Sequence, residues 1–325
     1  AGVVGLSVAL HRGDQVSERI GVNQSELFPM ASTFKVPLAL ALLRKVDDGA
    51  LRLGDEVGLS LAHVRPGTGV LSASLLEGGE GQQQQWTVFQ LLELALNDSD
   101  NTATDALLEM VGGPSEVCRH VREVCKLEKL TVSRSCLEHI RDRVGVSEDK
   151  MPGHNAKDMV EFVAMLEGRM EVLPLLSLRE ADAAFDLDPR DQTTPDDMTA
   201  LLGRIWRREA GISEGSTQVL LGILANCRTG VGRIPGRLPK HTVLQERGVM
   251  HKTGSLGGRT NDVGFIQLPN DRGAIALSIY VKGPAGPGQT KTAEMYGERE
   301  RVIADLARSC YDFFLFAGDA VAGKG

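Results

Sequence analysis

The sequence predicts an α+β fold: an antiparallel sheet with flanking helices built from both chain ends, and an all-α domain inserted between them. Two observations carry that reading. Strand-like segments lie near the start and near the end, and the middle shows helical periodicity broken by capping and turn signals. Such segregation favours an antiparallel sheet over alternating β-α-β units. The boundaries it suggests are residues 1–31 with 213–325 for the sheet-bearing part, and 32–212 for the helical part, with an extended insertion at about 115–178.

Taken in order, Gly5 to Leu10 alternates as a strand, His11-Arg12-Gly13-Asp14 turns, and Val16 to Val22 returns to make a hairpin. A buried helix then runs from Ser32 to about Val46, with Gly49 in the C′ position. Pro37 forfeits one bond within it and is expected to kink it. The glycine- and glutamine-rich stretch from Glu77 to Gln85 is a loop tip. Thr87 and Gln90 have capping-box spacing and open a second helix through Leu96, and Thr102 to Val111 forms a third, stopped by Gly112-Gly113-Pro114. Amphipathic segments such as Asp158 to Leu166 follow, with Cys118 and Cys125 read as core thiols. Arg179 to Thr194 is polar and aperiodic, hence irregular. Helices return at Met198 to Arg207 and Ser216 to Leu224, strands at 248–251, 262–268 and 274–281, and a last helix spans about Glu298 to Phe316.

Composition narrows the function classes. The 325 residues are 42% hydrophobic and 24% charged, as in ordinary globular domains, and a net charge of −7 argues against an electrostatic nucleic-acid binder. No apolar run is long enough to span a bilayer, so no membrane partner is expected of these residues. Five cysteines without Cys-x-x-Cys spacing and seven histidines without His-Glu-x-x-His give no metal or disulfide framework, and no cofactor is implied. A monomer acting on a small molecule is the expectation.

The chemistry starts at Met30-Ala31-Ser32-Thr33-Phe34-Lys35. Residues three apart share a helical face, so Ser32 and Lys35 can meet. Desolvation disfavours a charged lysine and makes a neutral, proton-accepting amine accessible, while the helix N-terminus offers N–H groups to an oxyanion. Ser147-Glu148-Asp149-Lys150 matches the same short pattern from within a polar loop, and Gly211-Ile212-Ser213-Glu214-Gly215 matches the nucleophile-elbow pattern without a strand before it. Both are read as turns. Ser99-Asp100-Asn101 could be a helix cap and Lys252-Thr253-Gly254 a strand ending in a turn, if each is taken alone.

Together and in this order, Ser32-Thr33-Phe34-Lys35, Ser99-Asp100-Asn101 and Lys252-Thr253-Gly254-Ser255 resemble the motifs of penicillin-recognising serine enzymes, and the whole chain is most similar to class A β-lactamases. Arg190-Asp191-Gln192-Thr193-Thr194-Pro195 and Gly236-Arg237-Leu238-Pro239 add to the likeness. The resemblance implies a serine hydrolase forming an acyl-enzyme on β-lactams or peptidoglycan-like peptides, in the periplasm or outside the cell, although a cytoplasmic site is left open. It implies Ser32 as nucleophile, Lys35 as proton acceptor and Ser99 as proton relay to the departing nitrogen. Asn101, Lys252, Thr253 and Ser255 would bind substrate, and the Ser32 and Ser255 N–H groups would form the oxyanion hole. Gly254 would let substrate approach the strand.

One departure matters. The Glu-x-x-Leu-Asn setting of the water-activating glutamate is missing before Arg190, where the chain reads Arg179-Glu180-Ala181-Asp182. Glu180 is the nearest candidate base and Asp182 the second. A chain without a positioned base would acylate and release slowly, so a D-alanyl peptidase or esterase, or a β-lactam sensor acylated without turnover, stand as alternatives.

Overall fold

The computed structural model describes residues 2–13, 15–17, 19–67, 69–153, 155–172, 175–283 and 292–322. Near the start come β1 (Val3–Arg12), β2 (Gln15–Val16), β3 (Ile20–Val22) and β4 (Phe28–Pro29). A 3-10 turn, Ala31–Phe34, leads into α1 (Lys35–Asp47). Next are β5 (Glu56–Leu59), α2 (Val70–Gly78), β6 (Gln84–Thr87), α3 (Val88–Glu93), α4 (Asn101–Val111), α5 (Pro114–Arg119), α6 (Cys136–Arg143), α7 (Ala156–Val172) and α8 (Leu175–Leu187). The chain closes with β7 (Gln192–Thr193), α9 (Pro195–Trp206), α10 (Glu214–Leu224), α11 (Lys240–Leu244), β8 (Val249–Leu256), β9 (Arg259–Gln267), β10 (Ala274–Lys282) and α12 (Thr292–Ala322).

The fold is α+β. Among the described residues the main sheet runs β2-β1-β10-β9-β8, with β3 also on β1, and every pairing is antiparallel. Strand β1 alternates as the pleat requires. Leu6, Val8 and Leu10 point into a core shared with Ile303, Ala307 and Tyr311 of α12. On the other face, Ser7 Oγ donates to Asp196 at 2.7 Å and Thr199 Oγ1 donates to the Ser7 carbonyl at 3.0 Å. Helix α9 is therefore seated on the sheet, although residues 195–206 fall within the helical part suggested by sequence. A larger core joins α1, α3, α4, α9 and α10.

Local rules explain most boundaries. Gly49 follows α1 at φ +75°, and its N–H closes on the Val46 carbonyl at 3.0 Å, as expected for a C′ glycine. The Thr87–Gln90 capping box forms in both directions, at 3.2 Å and 2.9 Å. The Pro37 kink is not needed: α1 begins at Lys35, so Pro37 sits in the first turn, where its missing N–H has no partner to lose. The return strand expected over 16–22 is split into β2 and β3.

Residues 179–187, expected to be irregular, belong to α8. Its inward face carries Asp182 and Phe185, and the carboxylate is satisfied by arginines, so the segment hides its periodicity from a hydrophobicity reading. No helix among the described residues is long and apolar enough to cross a membrane.

Candidate active site

Two elements converge beside the Ala31–Phe34 turn: the start of α4 and strand β8. The turn is pinned from the sheet. Asn261 of β9 donates to the Pro29 and Met30 carbonyls at 2.9 Å and 3.0 Å. Ala31 takes φ +45°, a left-handed conformation that costs an alanine roughly 1–2 kcal/mol and persists only where neighbours impose it. Gly254 of β8 lies against this turn: a Cβ there would meet the Met30 carbonyl at 2.7 Å and the Ser32 nitrogen at 3.2 Å. The glycine was expected to make room for substrate; in the structure it makes room for the backbone that presents Ser32.

Lys35 is 1% exposed, and its three ammonium protons all have acceptors: the Ser99 carbonyl at 2.7 Å, Ser99 Oγ at 3.2 Å and Asn101 Oδ1 at 3.0 Å. Burial pulls its pKa below the usual lysine value, with Cys136, Asp100 and Asp105 opposing. The loop Ser99-Asp100-Asn101 is shaped to hold that lysine. Ser99 sits at φ +60°, and Asp100 caps α4 by accepting the Ala103 N–H at 2.9 Å. The cap and the site are thus one structure, with Asp100 doing the capping and its neighbours turned to Lys35. Asn101 is fixed at its other end by donating to the Pro66 carbonyl at 2.8 Å.

Lys252 is fully buried, and its ammonium donates to the Thr253 carbonyl at 2.9 Å. Burial first, and the Lys35 charge second, lower its pKa to about 7. Thr253 Oγ1 lies 2.6 Å from Thr229 Oγ1. Ser255 is exposed and its hydroxyl accepts from Arg233 at 2.7 Å. Arg233 was not singled out from sequence. It is held by the Gly254 and Asn261 carbonyls and by Glu300 at 3.1 Å, so a fixed cation stands beside Ser255. Its context, Gly230-Val231-Gly232-Arg233, gives no signal beyond a turn. Arg259, the first residue of β9, is committed elsewhere: it is buried and paired with Asp182 at 2.7 Å and Asp186 at 2.8 Å.

The structure does not bring Glu180 to this cluster. It is exposed on α8, about 200° around the helix from Asp182, which faces inward. Asp182 is no free base either, since Arg143, Arg259 and the Gly258 N–H at 2.9 Å share its carboxylate. Instead Cys136, at the start of α6, is near enough to Lys35 for their charges to interact, and sequence reading missed it. Its N–H donates to Asp105 at 2.7 Å, and burial, then the Asp105 charge, push its thiol well above the usual cysteine value. Ser147 and Lys150 lie in an exposed 3-10 turn, and Ser213 caps α10 by accepting the Ser216 N–H at 3.1 Å.

Known proteins resemble this chain along most of its length. The chain is similar to the extended-spectrum β-lactamase PER-1 of Pseudomonas aeruginosa, with 27% identity over 92% of this chain and 79% of that protein. It is 24% identical to β-lactamase VEB-1 of the same organism, over 95% of this chain and 85% of VEB-1. Among solved structures, a class A β-lactamase variant derived from the last common ancestor of Gram-negative bacteria superposes with a TM-score of 0.70 at 28% identity, covering 97% and 94% of the two chains. A β-lactamase from Chitinophaga pinensis shares the fold, with a TM-score of 0.69 at 24% identity over 96% and 93%. The profile of the β-lactamase enzyme family matches residues 2–314, and the chain belongs to that family.

Proposed function

We propose that this chain hydrolyses β-lactams through an acyl-enzyme on Ser32, and that it releases the acyl group slowly. The observation that carries the reading is the buried Lys35 amine, depressed in basicity and shared between Ser99 and Asn101 one turn from Ser32. Once Lys35 gives up a proton it can accept the one from Ser32 Oγ as that oxygen attacks the lactam carbonyl. The Ser32 and Ser255 N–H groups take the oxyanion, and Ser99 passes a proton to the nitrogen as the C–N bond breaks. Lys252, Thr253, Ser255 and the fixed Arg233 suit a substrate carboxylate.

Slow release rests on what surrounds Lys35. The carboxylates near it are occupied as caps: Asp100 accepts the Leu71 and Ala103 N–H groups, and Asp105 accepts those of Cys136 and Leu137. Burial and the Asp105 charge push the Cys136 thiol up, which makes it a poor base, so these described neighbours of Lys35 do not offer the general-base help worth roughly 10²–10⁴-fold.

Mixing the protein with a chromogenic cephalosporin while following its mass tests both halves. One adduct per chain should form rapidly and decay slowly, and Ser32→Ala should form none. Glu180→Gln should leave both rates within about twofold. Labelling that persists on Ser32→Ala, or rapid multiple turnover abolished by Glu180→Gln, would overturn the corresponding half. By family resemblance we favour a monomer acting in the periplasm or outside the cell.

A further inference from the structure

A second group of reactive side chains lies behind the substrate-binding strand. His251 precedes Lys252 on β8, and its Nδ1 faces both oxygens of Asp262 on β9, at 2.9 Å and 3.0 Å. Asp262 is fully buried and is held in place by the Ile234 N–H at 3.1 Å. With Nδ1 committed, Nε2 is the ring nitrogen left to face the sulfur of Cys227, whose thiolate and the His251 imidazolium stabilise each other. Cys227 also lies 3.4 Å from Thr229 Oγ1, the hydroxyl that stands 2.6 Å from Thr253 Oγ1. A thiol, an imidazole and a carboxylate are thus in series, and the sulfur is one hydroxyl away from the strand proposed to bind substrate.

We infer that Cys227 is a covalent modification site for small soft electrophiles, hydrogen peroxide above all, and that its modification impairs substrate binding at Thr253. The arrangement activates a nucleophile as catalytic thiols are activated, by a neighbouring cation oriented by a third group. Burial alone would raise the thiol, but His251 and then Lys252 hold it down at about 6. Burial alone would lower His251, but Asp262 and then Cys227 hold it up at about 10. Thiolate and imidazolium are therefore the neutral-pH pair. Access distinguishes Cys227 from its competitors: it is half-buried, whereas Cys125, Cys136 and Cys310 are buried with raised pKa values. Cys118 is half-buried too, but its sulfur is engaged with the Val132 backbone at 3.0 Å, both towards the carbonyl and from the N–H.

With peroxide the step balances within the site. The thiolate attacks one peroxide oxygen, an S–O bond forms and the O–O bond breaks. Sulfur is oxidised by two electrons to sulfenic acid, and the departing hydroxide takes the Nε2 proton of His251 and leaves as water. The new oxygen then competes for the Thr229 hydroxyl that now pairs with Thr253.

The test uses the whole protein with iodoacetamide and, separately, hydrogen peroxide with dimedone, followed by peptide mapping. At pH 7, Cys227 should carry the label at least tenfold faster than Cys118, with a rate half-maximal near pH 6. His251→Asn should slow that labelling at least tenfold at pH 7 and much less at pH 9. Cephalosporin acylation of Ser32 should fall in step with Cys227 modification, recover with a thiol reductant after peroxide but not after alkylation, and be untouched by either reagent in Cys227→Ser. First labelling at Cys118, or full labelling of Cys227 with acylation unchanged, overturns the inference. The second half rests on the function proposed above. The labelling order does not, so a failure of that function leaves the thiol chemistry independently readable.

Discussion

At the scale of the residue, the proposed mechanism asks opposite charge states of two neighbouring buried lysines. Lys35 has to be neutral to accept a proton, and Lys252 has to be charged to attract a carboxylate. Burial lowers both, and Lys252, at about 7, loses its proton as pH rises through neutrality. Acylation by a carboxylate-bearing lactam should therefore fall as pH rises through about 7 and Lys252 gives up its charge, an alkaline limb set by Lys252. Lys252→Ala should remove the alkaline limb and slow such lactams about 10- to 100-fold, the equivalent of one charge-assisted bond. A neutral ester should lose far less. Stopped-flow acylation of both substrates across pH checks this; equal losses would mean that Lys252 acts only in proton transfer or structure.

At the scale of the element, the loop segment before α9 is tied down by one buried carboxylate. Asp191 accepts from Arg134 at 2.7 Å, lies 3.0 Å from His139, and takes the Ser133 N–H at 2.6 Å. Burial would raise its pKa, but His139, then Ser133 and Arg134, hold it at about 2. A carboxylate depressed in the folded state contributes stability above its unfolded pKa and loses it as pH falls through the folded one. That contribution, about 2 kcal/mol, is therefore complete above about pH 4 and lost by about pH 2. Asp191→Asn should destabilise the protein by at least that amount at pH 7 and flatten its acid unfolding between those limits, measured by urea titration. How much of this was legible in the sequence follows from what kind of force shapes each element. The α1 helix, the Thr87 cap and the β8–β10 strands are set by local patterns and were readable. Helix α8 was not, because arginines rather than apolar contacts satisfy its inward face. Arg233, on a loop, and Cys136, at the start of α6, come near the site only through the tertiary path of the chain, and no spacing in the sequence announces them.

At the scale of the molecule, the two ends of the chain close one sheet, and β1 lies inside it between β2 and β10. Its amide protons from Leu6 to Leu10 should exchange only through global unfolding, whereas the exposed turn Glu148–Lys150 opens locally, a contrast that hydrogen exchange resolves directly. Exchange of β1 faster than that of β9 would show that the first strand detaches by itself. The pairing of His11 with Ala274 also has a consequence in time. A ribosome adding about 5–20 residues per second makes the partner roughly 13–50 s after β1 emerges. Throughout that interval Leu6, Val8 and Leu10 have no α12 to cover them, and the strand has no neighbour on its β10 edge. The nascent chain is then at its most adhesive, and its safety depends on how quickly the stretch from His11 to Ala274 is read.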